Sequence, residues 1–97
     1  MIWSHCQIIF LIMNKITYIE NLKQYNGQNI HKVGEHISNG SVYCRNFYKL
    51  PNGIVVLIID DEFYGNGEVK VIDCNKEINV GYVDIDGNLE ITEKEYY

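Results

Sequence analysis

The run from Ile54 to Ile59 is six consecutive apolar residues, most of them β-branched. It is too short for a typical helix and offers no polar position to face water. It therefore reads as a central strand covered on both faces. A chain of 97 residues that must cover one strand twice has few options. It builds one domain with a modest core, and the cover has to come from neighbouring strands and a helix laid on the sheet.

Turn signals on either side of that run set the rest of the pattern. Val42 to Leu50 alternates, with Tyr43 and Phe47 on one face and Val42, Cys44, Tyr48 and Leu50 on the other. Pro51-Asn52-Gly53 reads as a turn, as does Tyr64 to Gly67. Glu68 to Cys74 makes a strand with Val69 and Val71 inward, and Asn75-Lys76 turns the chain again. Ile78, Val80 and Tyr82 share a face before Val83 and Ile85 take over. That change of phase near Gly81 predicts a bulge. Asp86-Gly87 is a two-residue hairpin signal, and Leu89 to Glu93 forms the last strand.

The first third of the chain is different. Thr17 and Glu20 have the spacing of a capping box, and Ile16, Ile19, Leu22 and Tyr25 recur at helical spacing before Asn26-Gly27. This predicts one short helix from Tyr18 to Tyr25. Between Gln28 and Ser38 two patterns compete: Ile30, Val33 and Ile37 suit a helix, which Gly34 weakens, while the alternation of Val33, Glu35 and Ile37 favours a strand that reverses at Asn39-Gly40. Residues 1–12 read either as an over-long start ahead of Met13 or as an extra strand, with residues 13–97 as the domain. The apolar run from Ile8 to Met13 is far too short to span a bilayer of ~30 Å, and no basic residue precedes it. The expected fold is α+β and mostly β. It is an antiparallel meander of five to six strands with one short N-terminal helix, either an open sheet or a small SH3-like or OB-like barrel.

Charge is the second informative property. Residues 1–50 carry five bases against two acids, and residues 51–97 carry three bases against eleven acids, so a net −5 chain has a −8 half. Such a half disfavours direct binding of a phosphate backbone and suits a basic protein surface. The acids cluster at Asp60-Asp61-Glu62, followed by Tyr64, and again at Asp84, Asp86 and Glu90. These seven residues form the expected partner-binding set.

Catalytic and metal signals are weak by comparison. Cys6, Cys44 and Cys74 include no CxxC pair, so they read as reduced, buried thiols of a cytoplasmic protein. His31 and His36 are five apart, neither a helical pair nor a same-face strand pair, and read as surface histidines. The stretch Asp84 to Glu95 resembles an EF-hand calcium loop, with oxygen donors at Asp84, Asp86, Asn88, Glu90 and Glu95. It departs from that family at Leu89, where the pattern requires glycine, and a strand pattern precedes it instead of a helix. An Asp-Gly turn explains the same residues, so no metal or cofactor is expected.

Ile, Asn, Lys and Tyr supply 41 of the 97 residues and alanine is absent, a bias toward AT-rich codons that suggests a low-GC genome. The functional expectation is a small acidic, non-enzymatic protein-binding module, of the kind a phage or mobile element uses to inhibit a nucleic-acid-handling partner. The alternatives are a structural protein that self-associates through a sheet edge, and a small-ligand binder.

Overall fold

The structure, a computed structural model, describes residues 5–39, 45–60 and 66–93. Helix α1 spans His5–Leu22 and tightens into a 3-10 turn, Lys23–Tyr25; a four-residue helix α2 spans Ile30–Val33. The strands are β1 Glu35–Asn39, β2 Arg45–Lys49, β3 Val55–Asp60, β4 Gly67–Asp73, β5 Lys76–Val83 and β6 Leu89–Ile91. They form one six-stranded antiparallel sheet in chain order, curled into an open half-barrel.

The apolar run behaves as its composition requires. Val56, Leu57 and Ile58 of β3 are all buried; Val56 and Ile58 join the main core, while Leu57 faces the other way. Inside the curl, Val69 and Val71 of β4, Val80 and Val83 of β5, and Leu89 and Ile91 of β6 meet Leu50 and Ile30. Ile19, Leu22 and Tyr25 close the core from the helical side. Each fully buried aliphatic side chain contributes roughly 1.5–3 kcal/mol by leaving water.

Polar contacts fix α1 across one end of the half-barrel. The Asn14 amide donates to the Asp73 carboxylate at 2.9 Å, next to the β4–β5 turn. At the β2–β3 turn, Asn52 donates its backbone N–H to the Tyr25 hydroxyl at 3.0 Å and its side-chain amide to the Asn21 carbonyl at 3.1 Å. In an antiparallel meander these two turns share an end. The β5–β6 turn lies at the opposite end.

Several local expectations need correction. Helix α1 begins at His5, so residues 5–12 are helical and not a strand, and Thr17 sits inside the helix instead of capping it. A capping box starts a helix only where the preceding chain cannot be helical, and no glycine or proline interrupts residues 5–16. Ile16, at the head of the expected stripe, is 46% exposed. The stretch from Gln28 divides between α2 and β1. Asn29 caps α2 by accepting the His31 N–H at 2.9 Å. Gly34 then lets the backbone pass close to Tyr48, where an added Cβ would lie 3.2 Å from the Tyr48 Cβ.

The β1–β2 register places Ser38 opposite Phe47 and Asn39 opposite Asn46, which a two-residue turn at Asn39-Gly40 cannot do. The expected positions Val42, Tyr43 and Cys44 lie outside the described residues. The β4–β5 hairpin turns at Cys74 and Asn75, with φ of 51° and 64°, one residue ahead of the expected pair. Positive φ at both central positions is the type I′ geometry that matches strand twist. This turn makes Cys74 an exposed free thiol, not a buried one, and the Asp73 carboxylate beside it pushes that thiol's pKa up.

The bulge is where the change of phase put it. Val69 pairs with Gly81 and Lys70 with Asn79, leaving Val80 as the extra, fully buried residue. A side chain at Gly81 would run into the Glu90 carbonyl, so glycine lets β6 approach. Among the described residues no helix is long and apolar enough to cross a membrane.

The edge of β6 is not bare. Gly27 donates to the Leu89 carbonyl at 2.7 Å, and Leu89 donates to the Gln28 carbonyl at 2.9 Å. Asn29 forms an isolated bridge with Asn88, and the Ile91 N–H reaches the Asn26 side-chain oxygen at 2.9 Å. The chain then passes through α2 into β1, at the other end of the strand order. A crosspiece running from Asn26 to Val33 thus bridges the gap between the two edges.

Candidate functional site at the β5–β6 turn

Asp84 organises the turn. Its Oδ1 accepts the N–H groups of Asp86 at 3.0 Å and Asn88 at 2.9 Å, and its Oδ2 accepts the Asn88 amide at 3.0 Å. These hydrogen bonds, those of Asn88 first, hold the Asp84 carboxyl below the usual carboxylate range. Gly87 has φ +91° and donates to the Asp84 carbonyl at 3.0 Å. The loop therefore has three residues, Ile85 to Gly87, with a left-handed glycine last, instead of the expected two-residue Asp86-Gly87 turn.

The crosspiece anchors this loop. The Ile30 N–H reaches the Gly87 carbonyl at 2.8 Å, and the Asn29 amide reaches the Asp86 carbonyl at 2.7 Å and the Asn88 side-chain oxygen at 3.3 Å. An added Cβ at Gly87 would sit 2.8 Å from the His31 ring. Glycine is thus required there for its conformation and for its lack of a side chain.

One residue is displaced by the longer loop. Ile85 was expected to point inward with Val83; Val83 is buried, but Ile85 is 71% exposed. It stands at the tip between the exposed Asp84 and Asp86.

Beside the tip lies a cleft of about 290 Å³. Ile30, Ile58 and Val83 give it apolar walls; His31, Tyr48, Asp60 and Asp84 give it polar ones. The Tyr48 hydroxyl is 3.5 Å from His31 Nδ1. Its ring meets the imidazoles of His31 and His36 edge-on, with centroids 6.0 and 5.2 Å apart. Burial pushes the Asp60 carboxyl above its ordinary pKa, with His31 pulling the other way. Burial, then the Asp60 charge, raises the Tyr48 phenol. No described residue donates a hydrogen bond or an ion pair to the Asp60 carboxylate. Arg45 is taken up by Glu77, and Lys70 approaches Glu68 at 3.6 Å.

Of the expected partner-binding set, Asp60 and Asp84 line this cleft together. Asp86 lies at the tip. Glu90, on β6 opposite Tyr82, borders a neighbouring depression of about 460 Å³ that Asp84 and Ile85 also reach. Asp61, Glu62 and Tyr64 lie outside the described residues. The oxygen-rich stretch from Asp84 is a β-turn whose own donors occupy the Asp84 lone pairs. Among the described residues no group of three His, Cys, Asp or Glu side chains is placed to hold a metal ion.

His31, Tyr48 and Ile85 were missed as site residues. The available signal for His31 was Asn29, a good N-cap two positions earlier. A comparison with family models, with curated proteins and with solved structures returned no match.

Proposed function

We propose that the chain is a protein-binding module that docks its β5–β6 turn and the acids around it onto a basic surface of a partner. The observation that carries this reading is Ile85, 71% exposed and held between two carboxylates on a turn that its own hydrogen bonds fix in place. An apolar anchor inside a polar rim is the usual anatomy of an interface centre. A turn already fixed in shape loses little conformational freedom on docking. Asp60 and Glu90 flank the anchor. Asp61, Glu62 and Tyr64, which follow Asp60 in sequence, complete the partner-binding set.

The −8 charge of residues 51–97 favours a partner whose surface is built for phosphates. Occupying such a surface inhibits a nucleic-acid-handling enzyme without contacting nucleic acid. The AT-rich composition supports a phage or mobile element as the source. The test is capture from a low-GC bacterial lysate with the tagged full chain, alongside Ile85→Ser and Asp86→Lys. One basic protein should be retained at low salt and released at high salt, and each variant should weaken it by about tenfold or more. Retention that neither salt nor either substitution reduces overturns the reading.

A further inference from the structure

We infer that the cleft between His31, Tyr48, Asp60 and Asp84 is a receptor for one basic side chain, lysine or arginine, of the protein partner. This rests on the docking mode proposed above and names the group that docking inserts.

The cleft is acidic on two sides. Asp84 faces it with oxygens already engaged by the turn, so it contributes negative charge but few free lone pairs. Asp60 faces it with no donor from any described residue. A partly desolvated carboxylate that no described residue hydrogen-bonds is unfavourable, and a cation relieves it more than the nearby His31 does. An anion meets repulsion from both acids. A neutral guest offers Asp60 at most a hydrogen bond and leaves its charge uncompensated.

Size and walls narrow the cation further. About 290 Å³ is at the small end of ligand sites and suits one side chain. Ile30, Ile58 and Val83 match a methylene stem, which long basic side chains lay along apolar surface while the charged head seeks its partner. Tyr48 adds an aromatic ring near the head, favourable to ammonium and guanidinium alike. A hard divalent ion needs several free oxygens, and the turn has used those of Asp84. Ile85 forms part of the rim, so a partner that covers it lies directly over the opening.

The test uses the full chain, isotope-labelled, followed by two-dimensional NMR. The probes are the N-acetyl methylamides of lysine, arginine and norleucine. The two cations should produce saturable shifts confined to the cleft, at His31, Ile58, Asp60 and Asp84, with millimolar affinity. Norleucine, which has the stem without the charge, should produce none. Asp60→Asn should weaken the cations by at least about tenfold, and Glu20→Gln, exposed on α1 and outside the docking surface, should bind them unchanged. The spectrum of Asp60→Asn reports directly on its fold, and Asp60→Glu should restore part of the binding. Absence of saturable shifts, an equal response to norleucine, or wild-type binding by Asp60→Asn overturns the inference. If the probes fail while Ile85→Ser and Asp86→Lys still lose the captured partner, docking stands and the receptor cleft falls. If the probes bind through Asp60 while those variants keep the partner, the cleft stands and the docking mode falls.

Discussion

Asp84 and Asp60 face one cleft and respond to pH in opposite directions. The folded Asp84 carboxyl lies below its ordinary range because it accepts hydrogen bonds from Asn88 and Asp86. Its contribution is complete above the unfolded value of about 3.9 and is lost as pH falls through the lower folded value. Acidification should therefore expose the Asp86 and Asn88 amides to hydrogen exchange, and Asp84→Ala should show the same loss of protection at neutral pH. The folded Asp60 carboxyl is raised by burial. Its protonated form favours folding, fully below the unfolded value of about 3.9, and that gain disappears as pH rises through the raised folded value. At neutral pH, Asp60→Asn should raise the thermal midpoint slightly, within about 0.5 kcal/mol for so open a position. The advantage should shrink on acidification. An Asp60→Asn protein that is less stable at every pH would assign Asp60 a structural bond instead of a binding role.

At the scale of elements, the bulge in β5 concentrates the tightest packing. Val80 is fully buried there, and Gly81 lies against the Glu90 carbonyl. Gly81→Ala should cost about 1–3 kcal/mol by overpacking, measured by urea unfolding, without changing the charge of the site. This bulge, the central strand β3 and the inward valines of β4 were legible in the sequence because period-two alternation and glycine turns report directly on a half-buried sheet. Other elements left no such record. Four residues of α2 are too few to settle a helical period, so the spacing of Ile30 and Val33 did not outweigh the strand alternation that follows it. The acids of the site were legible as residue types, but their grouping was not. It depends on whether the β5–β6 loop holds two residues or three, and that one-residue difference turns Ile85 from core to solvent. His31 enters the site only because α2 carries it there.

For the whole molecule, the two ends of the half-barrel are built differently. Helix α1 and its bonds to Asp73 and Asn52 hold one end, and the acidic turn with its cleft occupies the other. Asn29 connects the crosspiece to the acidic turn through the Asp86 carbonyl and Asn88, and it also caps α2. Asn29→Ala should cost about 1–2 kcal/mol in urea unfolding and should also weaken docking, because the turn loses its anchor. A change in stability alone, with docking intact, would separate the two roles. The crosspiece has one more consequence. By occupying the outer hydrogen-bonding positions of Leu89 and Ile91, it works as a chain terminator. Growth of the sheet from molecule to molecule needs two open edges, and among the described residues no strand pairs with the outer side of β1 while the β6 side is occupied. Any association through backbone pairing at β1 is therefore expected to stop at a pair, which the mass in solution at rising concentration checks.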